Sequence, residues 1–414
     1  MDYKIRQLFI KDKLDAFNSF IKISASWPGA EIMADKFTGI AIKVAGVDNR
    51  AANILKQEML ARDGDVATSR ETLYSSAQRS DVIIFGTKKN MRSLVSKIVM
   101  QPFGLKSLSL ELSEFLDNLE KNECRNILKI GQKEFDIKSK VIIMGILNVT
   151  PDSFFDGGKY YDIKNAFSKI DEMVEEGADI IDIGGMSTRP GSNPVNIEEE
   201  LERTIPVIEY IEKKYDVLVS IDTYRSKVAE KAIESGADII NDISGLVLDD
   251  NMKKVAANSG SSLILMHMRG TPQNMQEDPL YNDVMDEIYD FFRNQSALAI
   301  EAGVKPEKII IDPGLGFGKT LEHNFTIIRK LEDFKSLGYP ILIGASRKSF
   351  TGALSSLPPE QRLEGSIAVA VMSVMNGASL LRVHDVSETI RAVELVKAVQ
   401  NVKEESKRSV SNKL

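Results

Sequence analysis

The sequence predicts a closed α/β barrel, a (β/α)8 TIM barrel, preceded by a small N-terminal α/β or α+β domain. Three observations carry the prediction. From residue 141 onward, short β-branched runs alternate with longer amphipathic helical patterns, which implies parallel strands joined by right-handed crossovers. The runs number eight: Val141–Leu147, Asp179–Gly184, Val217–Asp222, Asp238–Ile243, Ser262–His267, Lys308–Asp312, Tyr339–Gly344 and Ser379–His384. No Gly-x-Gly-x-x-Gly follows the first run, as an open doubly wound sheet with a dinucleotide site would require.

The elements follow in order. With 414 residues the chain exceeds one ordinary core, so two domains are expected. Residues 1–125 read as the smaller one: "AANILKQEMLAR" and "LSLELSEFLDNLEK" as helices, "DVIIFGT" as a strand. They hold no acid/base cluster, metal spacing or phosphate loop, so a stabilising or oligomerising role is expected. The barrel occupies 126–402, and the charged, Ser-rich end, 403–414, reads as a tail. "ILKIGQKEFDIKSK", 127–140, predicts a hairpin turning at Gly131-Gln132 that plugs the barrel bottom. Helices are expected over Ile197–Tyr215, Ser226–Ser235, Leu363–Asn376 and Ser387–Val402. "EEGADIIDIGG" (175–185) and "ESGADIINDISG" (235–245) read as one helix-end, glycine cap and strand used twice, a mark of periodicity and not a site.

Composition excludes several classes. Net charge is −7 and no basic block occurs, which argues against a nucleic-acid partner. One cysteine, Cys124, rules out an internal disulfide framework and suits a reducing cytoplasm. The first residues carry charges throughout, unlike a signal peptide, and no apolar stretch reaches the roughly 18 residues of a membrane span. The three histidines, His267, His323 and His384, offer little for a zinc site.

The chemistry is expected at the C-terminal strand ends, and every run delivers polar groups there. The loops begin with Asn148, with "MSTRPGS" (186–192), and with Asp222. Asn241-Asp242, Met266-His267, "DPGLGFGK" (312–319), "GASRKSF" (344–350) and "RVHD" (382–385) follow. Asp222, Asn241 and Asp312 suit a flat heterocycle with donors along one edge, because a carboxylate pairs bidentately with an N–H/NH2 edge. Any one of them alone could equally be a helix cap or an ion-pair partner. Arg189, Lys348, Arg382 and His384 form a basic set able to converge on one anion. Asn148 could ligate Mg2+ that is otherwise held by water and phosphate oxygens. No nucleophile–base pair stands out, so no covalent mechanism is indicated.

The series "MGILNVTPDSFFDGG", "DIGGMSTRPGS", "VSIDTYRSKVAEKA", "INDISG", "LMHMRGTPQNMQ", "IIDPGLGFGK", "GASRKSF" and "LLRVHDV" resembles, in order, that of the dihydropteroate synthases. The resemblance spans about residues 127–400 and implies a cytoplasmic, homodimeric transferase of folate synthesis, the target of sulfonamides. Its substrates would be (7,8-dihydropterin-6-yl)methyl diphosphate and 4-aminobenzoate, with Mg2+ as cofactor and an SN1-like route. Carried over by motif, Asp222, Asn241, Met266, Asp312, Gly344 and Lys348 would bind pterin. Asn148, Thr188, Arg189, Arg382 and His384 would bind diphosphate, with the metal on Asn148. Thr188, Pro190, Phe317, Ser346 and Lys348 would shape the aminobenzoate pocket. Arg189, Asp222, Lys348, Arg382 and His384 would be catalytic. The first two loops would close over the substrates, with Phe154 and Phe155 beneath the first and Gly157 and Gly158 as its hinge. The alternatives are a pterin-dependent methyltransferase on the same barrel, which needs no diphosphate clamp, and a non-catalytic pterin-binding paralogue.

Overall fold

The computed structural model describes residues 3–10, 12–37, 39–70, 72, 78–149, 159–186, 195–271, 274–275 and 279–402. Chain contacts divide it into two compact units, the larger of them Leu119–Asn401. In the first unit, β1 (Gly39–Asp48), β2 (Asp65–Thr68) and β3 (Arg79–Thr87) pair antiparallel in the order β1-β3-β2. The unit is therefore α+β. Gly46, at φ 63°, marks a register shift in β1 between Val44 and Val47, and its N–H donates to Asp81 Oδ1 at 3.0 Å. Helix Asn49–Leu60 buries Ala51, Ala52, Leu55 and Met59, spaced for one helical face, in a core shared with Ile42, Val82 and Ile84.

The second unit opens with a hairpin, β4 (Ile127–Ile130) and β5 (Lys133–Asp136), closed by the two-residue turn Gly131-Gln132. Eight strands follow: β6 (Ile142–Asn148), β7 (Ile180–Gly184), β8 (Leu218–Asp222), β9 (Ile239–Asp242), β10 (Ser262–Met266), β11 (Ile309–Asp312), β12 (Leu342–Ile343) and β13 (Leu380–Val383). They form one sheet, ordered β11-β10-β9-β8-β7-β6-β13-β12, in which every pairing is parallel. A parallel bridge between Ile311 and Ile341, with Ile311 N donating to the Pro340 carbonyl at 3.0 Å, closes the ring. This is the expected (β/α)8 barrel. The seventh strand is shorter than Tyr339–Gly344, because Pro340 has no N–H to give the ladder.

Each strand is buried on both sides and so reads as an unbroken apolar run. Outward residues such as Ile143, Ile181, Val219 and Leu263 pack under the helices. Inward ones form a separate layer at the barrel bottom: Ile142, Met144, Ile180, Leu218, Ile239, Ile264, Ile310, Leu342 and Leu380. Leu128, Ile130 and Phe135 of the hairpin join that layer, so the hairpin corks the end where strands begin.

Candidate active site

Side chains alternate along a strand, so the inward positions above the bottom layer follow at steps of two. Among them are Asn148, Asp182 and Gly184, Ser220 and Asp222, Asn241, Met266, Asp312, Gly344, and Arg382 with His384. Register brings Gly184 beside Asn148 and Asp222, Asp222 beside Asn241, and Met266 beside Asp312. A Cβ built on Gly184 would stand 3.4 Å from Asn148 Oδ1 and 3.7 Å from Asp222 Oδ2. One on Gly344 would stand 3.8 Å from Asp312 Oδ2. At each of the two glycines a Cβ would already be in van der Waals contact with the polar groups of the mouth, so their backbones let those groups come close.

One half of the mouth is an ion cluster. Arg382 Nε donates to Asp182 Oδ2 and its Nη2 to Asp222 Oδ2, both at 2.6 Å. Asn241 Nδ2 lies 3.3 Å from each Asp182 oxygen. Burial works against the Arg382 charge, but its two aspartates outweigh it and raise its pKa. Asp222 is pushed up to about 7 by burial, then by Asp182 and Glu200, against the pull of Arg382. Its Oδ1 is buried and has no hydrogen-bond partner. Leaving such an acceptor unmet costs about 1–3 kcal/mol, so it is poised for a donor from a ligand.

The other half is built on the loop after β11. Asp312 Oδ1 accepts from Gly314 N at 2.7 Å, and burial raises its pKa against Lys348. Lys348 Nζ donates to the Leu315 carbonyl at 2.5 Å and lies 4.3 Å from the centre of the Phe317 ring. Burial lowers its pKa to about 8, with Asp312 opposing. Behind the loop, buried Lys319 lies 2.9 Å from Nδ1 of buried His267. Ser346 Oγ accepts from His384 N at 3.2 Å and lies 3.1 Å from His384 Nδ1.

The structure thus brings together Asp222, Asn241, Met266, Asp312, Gly344, Lys348, Phe317, Ser346, Arg382 and His384 around one opening, with Asn148 at its edge. Thr188, Arg189 and Pro190, the first loop with Phe154 to Gly158, and the tail from 403 lie outside the described residues. The Arg382 guanidinium is held by Asp182 and Asp222. Asp182 lies within the first repeated phrase, "EEGADIIDIGG", and Asn241-Asp242 within the second, "ESGADIINDISG". No role for Asp182, His267 or Lys319 is expected from the sequence. The signal available for Asp182, which the structure buries fully, was an aspartate inside the isoleucine run Ile180-Ile181-Asp182-Ile183.

A family profile described as "Pterin binding enzyme" matches residues 144–384. The dihydropteroate synthase of Clostridium beijerinckii is 49% identical over 269 residues, covering 65% of this chain and 97% of its own. A probable bifunctional folylpolyglutamate synthase/dihydropteroate synthase of Halobacterium salinarum is 38% identical over 389 residues, 93% of this chain and 46% of that protein. That match therefore reaches into the N-terminal unit. Among solved structures, Yersinia pestis dihydropteroate synthase in a sulfonamide drug complex superposes with a TM-score of 0.63 at 42% identity. It covers 67% of this chain and all of the other. Set beside the mouth just described, these matches show that the chain belongs to the pterin-binding enzyme family, among its dihydropteroate synthases.

Proposed function

We propose that the barrel joins (7,8-dihydropterin-6-yl)methyl diphosphate to 4-aminobenzoate by a dissociative route, giving 7,8-dihydropteroate and diphosphate. Asp222, Asn241, Asp312 and Lys348 hold the pterin edge, with Met266 and Gly344 beside it. The bond between the exocyclic methylene and the diphosphate oxygen breaks, and its electron pair leaves with diphosphate. The cation left on the methylene is conjugated with the pterin, and Asp222 and Asp312 stabilise it. The aromatic amine attacks this carbon and then loses a proton. Thr188, Pro190, Phe317, Ser346 and Lys348 shape the pocket that holds the aminobenzoate. Arg189, Thr188 and His384 take the diphosphate, and Arg382 meets it only with what its two aspartates leave of the guanidinium.

Among the described residues no group of three His, Cys, Asp or Glu could hold a metal alone. The half-buried amide of Asn148 fits a Mg2+ whose other ligands are phosphate oxygens and water. Bound there, Mg2+ would neutralise charge on the leaving diphosphate. The expected homodimer has a candidate surface in the exposed apolar side chains of neighbouring barrel helices, Phe325, Met372 and Met375. No helix among the described residues is long and apolar enough to cross a membrane, in keeping with a cytoplasmic setting.

The unpartnered, buried Asp222 Oδ1 carries the reading. A coupled assay for diphosphate release, with and without 4-aminobenzoate, tests it. Release that depends on the amine is expected; tight binding of the diphosphate substrate with no release would mark a non-catalytic pterin binder.

A further inference from the structure

We propose that Lys319 is a positioning residue for the aminobenzoate side of the site, acting through Phe317. The proposal rests on the reading above, in which Phe317 lines that pocket. Lys319 is buried, with 3% of its surface exposed, and touches none of the proposed substrate contacts except one backbone carbonyl. Its Nζ donates to the carbonyl of Phe317 at 3.0 Å and of His267 at 3.2 Å, and lies 2.9 Å from His267 Nδ1. Nζ thus stands within hydrogen-bonding distance of three polar atoms, two of them backbone carbonyl oxygens.

These contacts join two elements. His267 follows β10, and its N–H donates to the Asp312 carbonyl at 2.9 Å. Phe317 lies on the next loop, whose shape leaves little freedom. Gly314, Gly316 and Gly318 all have positive φ, and a Cβ on Gly318 would stand 2.5 Å from the Arg269 carbonyl. Phe317 N donates to the Gly314 carbonyl at 3.1 Å, and Tyr281 donates its hydroxyl proton to the Gly318 carbonyl at 2.8 Å. Two lysines thus take alternate carbonyls of this loop, Lys348 that of Leu315 and Lys319 that of Phe317. The first reaches toward the pocket and the second ties the loop down from behind. Without Lys319 the Phe317 carbonyl loses this tie, and the ring loses its fixed place 4.3 Å from the Lys348 ammonium.

The test is a double-mutant cycle on the full chain, with Lys319→Gln, Phe317→Leu and both together. Lys319→Gln keeps two N–H donors, so the variant can fold; thermal melting confirms this, and Lys319→Met serves as a second replacement. Each single variant is expected to raise the KM for 4-aminobenzoate about tenfold, with pterin affinity by calorimetry within about twofold of the parent. In the double variant the Lys319 effect on KM should vanish. The 15N shifts of His267 supply an independent readout: Nδ1 is expected to be an unprotonated acceptor in the parent and to change in Lys319→Gln. Effects that simply add, or a loss that falls on pterin affinity, overturn the proposal while leaving the pocket in place. An unchanged KM in Phe317→Leu overturns the pocket reading and this proposal with it.

Discussion

Replacing Asp222 by Asn tests the heart of the pterin site. The side chain keeps its shape and loses its charge. In the parent, Oδ2 accepts from Arg382 at 2.6 Å and Oδ1 is buried and unmet. The proposed pterin donor would meet Oδ1 as a charge-assisted hydrogen bond. Such a bond is worth about 1.5–3 kcal/mol, and at about 1.4 kcal/mol per decade its loss weakens binding roughly 12- to 150-fold. The fold should tolerate the change better than the ligand does. Arg382 keeps Asp182, so no arginine is stranded, and the loss in stability should stay below the ~3–5 kcal/mol that follows removal of one partner of a buried pair. Calorimetry with a pterin lacking the diphosphate isolates this term, and a thermal melt of the same samples reports the fold. An unchanged pterin affinity in a folded Asp222→Asn variant would refute the assignment.

The same carboxyl sets a pH dependence. Its pKa is raised from 3.8 to about 7, so the free enzyme carries it protonated below that range. Pterin affinity should therefore weaken as pH falls below about 7, by up to tenfold per unit, and Asp222→Asn should remove the dependence. For stability the sign is reversed: the contribution of a raised group is full below 3.8 and lost as pH rises through about 7, so the Asn variant should flatten that part of a melting profile. A sulfonamide should compete with 4-aminobenzoate in steady-state kinetics, and more strongly once pterin diphosphate is bound; a noncompetitive pattern would count against the Phe317–Lys348 pocket. Leu128→Ala, in the hairpin that corks the barrel, should cost about 2–5 kcal/mol by denaturant titration, and an unaltered midpoint would mean that the cork carries no weight. A chain beginning at Asn126 should retain transferase activity, because every strand-end motif lies beyond residue 140. If that chain folds by circular dichroism and binds pterin diphosphate but makes no product, the N-terminal unit has a direct part in the chemistry.

The barrel was legible because a strand covered on both faces needs apolar residues at every position, and eight such runs survive in the sequence. The mouth was legible for a related reason: Asp222, Asn241 and Asp312 each interrupt such a run at the same end. What the sequence could not show is which inward groups meet. Asp182 and Arg382 are 200 residues apart and become partners only through the register of β7, β6 and β13 around the ring. Asp182 was also hidden by its phrase, which reads as a repeat of the one before Asn241. Lys319 was hidden by the opposite circumstance, since a lysine after glycines reads as a solvated loop end. In the first unit the reading names one strand where three form. Gly46 breaks the alternation that would announce β1, and the four residues of β2 are too few to show a period.

The seam that closes the barrel has a mechanical consequence. Between β11 and β12 the hoop of hydrogen bonds narrows to the single Ile311–Ile341 bridge, whereas β6 and β7 are in register over five residue pairs. Asp312 stands at the end of one seam strand and Lys348 in the loop that leaves the other. A pterin gripped by both would lie across the gap like a stitch, bonded to each edge. Filling the site would then fasten the barrel where its own backbone holds it least, and amides beside the seam, Ile311 among them, should gain the most protection from solvent exchange when the ligand binds.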